Sequence, residues 1–278
     1  MRFFLLLAAA LLLGSCSTAR FAYDNADTFI RWRMLQFLDV RDTQADELDE
    51  RIDALLRWHR KNELPKYARD ADEAGKRLAR GLSREDLVWG YDAAVAHARE
   101  AARMAAEHMA PLLDRLTPEQ VRHMESRFAE ENRKFARENL RGNERERRER
   151  RSQRIIERLE DWLGSLSKAQ VARVRLFSER SPLTDEMRER DNKRLQGDML
   201  AIIRARESRK RLAERVSNWE RGRDPAYAAA RQKAWDEFNS LLLDLDRMAS
   251  REQRERAATQ LRQYADDFRS LAARPAGR

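Results

Sequence analysis

The side chains of this 278-residue sequence that could do chemistry are one thiol, four imidazoles and 49 guanidinium groups. Cys16 is the only cysteine, so neither a disulfide framework nor a dithiol pair can form. The imidazoles are His59, His97, His108 and His123. His97 and His108 stand eleven residues apart, about three helical turns, too far to share one metal ion. His59 falls on the apolar side of a helical pattern, where a packed histidine is expected. No HExxH, no paired cysteines and no clustered Asp occur, so no metal is expected. No Gly-rich phosphate loop and no G-x-S-x-G elbow stand out, so neither a cofactor nor a serine nucleophile is expected. Carboxylates are abundant, but they interleave with Arg at four-residue spacing, as Glu146 and Arg150 do. That is the pattern of a solvated helix face. The chain is expected not to be an enzyme.

The cations are the better lead. Lys and Arg together number 57 against 48 Asp and Glu, giving a net charge of +9, and only eight of the cations are Lys. Arg binds phosphate and carboxylate bidentately, although a base-composition bias of the genome produces the same ratio. If one helix runs through 141–151, then Arg147, Arg151, Arg154 and Arg158 share a stripe beside the apolar Ile155, Leu159 and Trp162. Residues 204–223 are a second basic stretch, with eight basic and three acidic residues. Two uses are open. Long cationic side chains can rim and shield a buried seam, or they can form a cationic, partly apolar surface for anionic clients or lipid headgroups.

The start of the sequence gives an address. Arg2 precedes an apolar run over 3–13, the layout of a secretory signal peptide. Eleven residues are too few to span a bilayer, which needs about 20. The run ends in Leu13-Gly14-Ser15-Cys16, which resembles the lipobox of bacterial lipoproteins. That resemblance implies removal of 1–15, a diacylglycerol on the Cys16 thiol, acylation of the new N-terminus with palmitate or a similar chain, and a lipidated domain over 16–278. Ser17 after the cysteine, rather than Asp, implies the periplasmic face of the outer membrane more than the inner membrane. Nucleic acid is not an expected partner at that address.

These residues must be positioned by helices. No period-2 alternation bounded by turn residues occurs, whereas apolar residues recur at three and four throughout. Helices are expected over 21–39, 43–63, 66–80 and 83–110, with Leu64-Pro65 ending the second and Pro111 ending the fourth. In the fourth, Val88, Tyr91, Val95, Ala98, Ala102, Ala105 and Met109 follow a 3.5-residue period, the seam of a coiled-coil-like pair. A fifth starts at Thr117 and reaches 163 either whole or broken at Gly142-Asn143, so that two sub-bundles meet near 141–151. Gly164 suits a left-handed terminator. Three further helices are expected over 167–180, over 184–221, and after Asp224-Pro225, an N-cap followed by proline. The last starts at Ser250.

Thr117, Ser167 and Ser250 each have Gln three places on, and Ser83 has Asp86. These fit the capping box, in which a hydroxyl accepts from the N3 amide while the N3 side chain returns the bond. Leu116-Thr117-x-x-Gln120 also resembles the LTxxQ motif of the Spy/CpxP-type periplasmic stress proteins, and Leu166-Ser167-x-x-Gln170 matches it with Ser for Thr. Those relatives are all-helical, and Spy is a basic, ATP-independent chaperone. A broader resemblance is carried by the lipobox, Tyr23, Trp58-His59-Arg60, Glu63-Leu64-Pro65, Tyr67, and Trp162-Leu163-Gly164 before Leu166 and Gln170. It is to a family of bacterial lipoproteins with a domain of unknown function. Arg41 departs from the expected hydroxyl ahead of Gln44.

The expected architecture is an all-α, extended multi-helix bundle with coiled-coil-like antiparallel pairs, attached to a membrane through Cys16. The expected role is non-enzymatic binding, chaperone-like, in the cell envelope. The alternative is a scaffold lipoprotein that docks other envelope proteins through helix faces.

Overall fold

The computed structural model describes Tyr23 and residues 25–274. The signal segment, the 13–16 box with Cys16, and Ser17 lie outside the described residues. Within them the chain is all-helical: α1 (Ala26–Leu38), α2 (Thr43–Asn62), α3 (Leu64–Arg80), α4 (Arg84–Leu113), α5 (Pro118–Asn139), α6 (Glu144–Leu163), α7 (Lys168–Arg180), α8 (Asp185–Arg204), α9 (Ser208–Ser217), α10 (Pro225–Met248) and α11 (Arg251–Ala273). No helix among the described residues is long and apolar enough to cross a membrane.

The starts of these helices follow local chemistry. Ser83, Thr117, Ser167 and Ser250 all form complete capping boxes with the expected residue three places on. Asn143 forms another with Glu146, so 140–143 is a break and α6 begins afresh after it. Asp224 accepts from the amides of Ala226 and Tyr227. Each such cap is worth about 1 kcal/mol. Three of the Gln residues do more than cap. Gln170 and Gln253 bond each other through their side-chain amides at 2.9 and 3.3 Å, locking the start of α7 to the start of α11. Gln120 donates to the Gln44 side chain at 2.7 Å and to the Asp39 carbonyl at 3.1 Å. Gln44 thus joins the network although no hydroxyl caps its own helix.

Several helix ends differ from the sequence expectation. Pro111 lies inside α4, which continues to Leu113. The proline removes the one N–H that would have met the Glu107 carbonyl, and in the same turn Arg51 of α2 donates to the neighbouring His108 carbonyl at 2.9 Å. Pro65 does not delay the next helix, because it sits in the first turn of α3, where its missing N–H is no loss. Gly164 does terminate α6, but with φ 74° and ψ −157°. That is a glycine-only conformation other than the left-handed helical one.

The expected helix over 184–221 is two helices. Arg206 has φ 56°. The Glu207 amide returns to the Ile202 carbonyl at 3.1 Å and the Arg206 amide to Ile203 at 2.9 Å, a Schellman closure without glycine. The Asp114 carboxylate then caps α9, accepting from the amides of Ser208 at 2.7 Å and Arg209 at 3.3 Å.

Three apolar clusters hold the helices. The largest joins α1, α2, α4, α5, α8 and α9 around Leu48, Ile52, Leu112, Val121, Ile203 and Leu212. A second joins α3, α11 and the end of α6 around Leu64, Ala68, Trp162, Tyr264 and Phe268, and takes in Tyr23. A third joins α6, α7 and α10 around Ile156, Val174, Phe177 and Leu241. The break at 140–143 therefore separates α5, in the first cluster, from α6, in the other two.

The seam on α4 is half right. Ala102 and Met109 are buried, but the buried set is Ala101, Ala102, Ala106, Met109, Ala110, Leu112 and Leu113, while Val88 and Tyr91 are exposed. A straight helix drifts about 20° per heptad away from a 3.5-residue seam. Its first turns also lie beyond the main cluster, where the Tyr91 ring is tilted against that of Trp235 on α10, at 4.3 Å between centroids.

The closest helix pair is α3 with α11. Gly75 is buried there, and a Cβ on it would stand 3.5 Å from both the Ala258 carbonyl oxygen and the Leu261 Cβ. That is ordinary contact distance, so Gly75→Ala should raise stability by up to about 1 kcal/mol through helix propensity. Gly75→Leu has no room and should cost about 2 kcal/mol. Urea unfolding of both variants checks the pair. Equal midpoints would mean that α3 and α11 do not approach this closely.

Candidate functional site

A buried polar cluster forms where α2 meets α3. A single residue, Glu63, makes the joint between the two helices, with its side chain fully buried. A buried carboxylate needs partners. Lys66 supplies one, with Nζ 2.6 Å from Oε1. His97 of α4 supplies the other, with Nδ1 3.1 Å from Oε2. The other ring nitrogen of His97, Nε2, lies 2.6 Å from Asp70 Oδ2 on α3. The ring thus bridges the two carboxylates, one through each nitrogen. Glu63 and Asp70 are seven residues apart on one face of α3, two turns, which is why a single histidine bridges them.

His59, in the last turn of α2, sits beside this group. Its Nδ1 is 3.2 Å from the Tyr23 hydroxyl and its Nε2 is 3.3 Å from the Tyr67 hydroxyl. Burial pushes its pKa from 6.5 down to about 4, against the pull of Glu63 and with a further push from His97. The ring is neutral, and accepts from one tyrosine while donating to the other. Burial also raises the phenol pKa values of Tyr23 and Tyr67. Tyr67 carries the connection onward, with its ring edge-on to His97 at 4.8 Å and to Phe268 of α11 at 5.7 Å. The Arg60 guanidinium lies over the Tyr23 ring at 5.8 Å. The cluster ties α3 to α4 through Glu63, His97 and Asp70. It also fixes Tyr23, the first described residue, to the body of the protein. No group of three or more His, Cys, Asp or Glu among the described residues has the geometry of a metal site.

The expected packing of His59 on an apolar face is therefore observed, with two tyrosine partners added. The part of Glu63, Asp70 and His97 was not legible from histidine spacing. The one signal was the seven-residue separation of the two carboxylates.

The Arg stripe divides. All four residues lie on α6, and Ile155 and Leu159 beside them pack on the third cluster as expected. Arg147 pairs with Glu186 at 2.5 Å. Arg151 turns inward, donating to the carbonyls of Ser181 and Pro182, both at 2.9 Å, and of Ser178, with its guanidinium 5.6 Å from the Phe177 ring centroid. Burial, with Arg148 beside it, lowers its pKa to about 10. Arg148 donates to the same carbonyls of Ser178 and Ser181. These are the orphan acceptors at the C-terminus of α7, where cations also complement the helix dipole. The basic run therefore caps α7 from outside. Arg154 is exposed and Arg158 half-buried.

In the second basic stretch, Arg211 and Arg221 pair with Glu207 and Glu214, Arg215 pairs with Asp198, and Arg223 with the buried Asp191. A shallow groove over Glu47, Glu50, Arg51, Asp53, Arg57 and His108 carries both signs of charge.

A family model described as a family of unknown function (DUF6279) matches residues 36–227. That span contains Trp58-His59-Arg60, Glu63 to Tyr67, and Trp162-Leu163-Gly164. Tyr67 and Trp162 pack against the same apolar cluster as Tyr23 and Leu64. No curated protein and no solved structure matches the chain.

Proposed function

The chain belongs to the DUF6279 family of unknown function, and we propose that it is a lipid-anchored protein of the cell envelope that works by docking other envelope proteins through its helix faces. The observation that carries this reading is the hold on Tyr23. Cys16 stands seven positions ahead of a tyrosine buried against His59 and Arg60. Seven residues reach at most about 25 Å, so acyl chains on Cys16 would keep the helical body close to the bilayer. Such a short tether suits a fixed docking platform. A chaperone-like role for anionic clients, suggested by the LTxxQ resemblance, needs a broad cationic and apolar surface. The inward use of Arg147, Arg148 and Arg151 and the neutralising pairs along 204–223 count against it.

Cys16→Ser should abolish labelling by palmitate and release the protein from the membrane fraction or leave it unprocessed. Each buried methylene contributes about 0.8 kcal/mol, so several acyl chains hold where one does not. Label equal to wild type would remove the anchor. Pull-down from crosslinked envelopes then separates the two roles. One stoichiometric partner supports docking, and many unfolded clients would support the chaperone-like role instead.

A further inference from the structure

Helix α1 is apolar on two sides. Leu38 is part of the main cluster, and Ile30, Met34 and Phe37 pack against it. On the opposite side Phe29, Trp32 and Leu35 are 51%, 52% and 37% exposed. Spacings of three place them on one face centred on Trp32. Thr28 and Gln36, the other exposed residues of the helix, are uncharged. In a chain with 38% charged residues this face carries no charge. The cations that border it face the protein: Arg31 pairs with Asp49 at 2.9 Å and with Asp53, and Arg33 pairs with Glu131.

We infer that this face of α1 lies in the interface of the bilayer that holds the acyl chains of Cys16. The inference rests on the anchor proposed above, and the tether supplies the occupant. Tyr23 is at most about 25 Å from Cys16, and Trp32 follows nine residues later, roughly 13 Å along a helix. The face is therefore the first exposed apolar surface among the described residues. Trp sits at the headgroup level of membranes, and an interfacial helix buries its apolar side about 5–10 Å deep. Because the face is uncharged, it recognises the bilayer by apolar burial and takes zwitterionic lipid as well as anionic lipid.

The full lipoprotein can test this, because a Cys16 thiol bound to lipid leaves any added cysteine as the only reactive one. Leu35→Cys on α1 and Lys233→Cys, at an exposed site on α10, would each carry an environment-sensitive fluorophore in phosphatidylcholine vesicles. The probe at 35 should shift to the blue and lose most of its emission to brominated lipid, equally at low and high salt, while the probe at 233 does neither. A water-exposed probe at 35 on a protein that carries acyl chains overturns this inference alone. A blue shift without bromine quenching also overturns it and assigns the face to a second copy of the chain. Quenching that vanishes at high salt transfers the contact to cations such as Arg154 and overturns the apolar face. Protein purified without acyl chains overturns both this inference and the anchor.

Discussion

Ala106→Glu is expected to destabilise the protein by roughly 3–5 kcal/mol, the range for an uncompensated buried charge, while Ala96→Glu on the same helix is expected to stay within about 0.5 kcal/mol. Ala106 is buried in the largest apolar cluster and Ala96 is exposed, ten residues away on α4. The substitution is the same and so is the helix propensity, so the difference isolates burial. A carboxylate at 106 must leave water for a site lined by Met109, Leu112 and their neighbours, or take up a proton and still lack a partner. Denaturant melts of the two variants by circular dichroism measure the difference. Equal losses would mean that the C-terminal half of α4 is not the buried half.

Acidification should unfold the protein through His59, with about 3 kcal/mol at stake in total. Its pKa falls from 6.5 to about 4 on folding because the ring is buried. The unfolded chain therefore binds the proton more readily. The contribution is complete above pH 6.5 and is lost progressively as the pH falls toward 4. Between pH 7 and pH 5 the loss should be about 2 kcal/mol, a range in which few carboxylates titrate. His59→Gln keeps a side chain able to donate and accept but cannot titrate, so its stability should be nearly flat over the same range, though lower at pH 7. An unchanged slope in that variant would assign the acid sensitivity to other groups. His108, whose pKa burial also lowers, would be the next to test.

The cluster around Glu63 shows how far a site can be legible before its geometry is known. Trp58-His59-Arg60, Glu63-Leu64-Pro65 and Tyr67 stand out in the sequence as a signature without a chemistry. Two of the polar partners come from elsewhere. His97 arrives from α4, 34 residues after Glu63, and Tyr23 from before α1, 36 residues ahead of His59. Neither approach is implied by local spacing. The Arg-rich run shows the same gap from the other side. Its composition suggests an anion-binding surface, but Arg148 and Arg151 are taken by carbonyls at the end of a helix about 30 residues away.

By itself the sequence determined the helical class, most helix starts and the burial of His59. Those features rest on interactions within about four residues, which adjacent side chains encode directly: the hydroxyl–Gln boxes at Thr117, Ser167 and Ser250, Pro in a first turn, and apolar residues spaced by three and four. Only the tertiary structure decided where helices stop when no glycine or proline marks the place, and which charges face inward. Asp114 caps α9 across 94 residues and fixes the break after Arg204. Arg51 reaches the His108 carbonyl across 57 residues beside Pro111, through which α4 continues. Buried backbone and charged groups must find partners somewhere. When the partner comes from another helix, the packing of the whole bundle selects it.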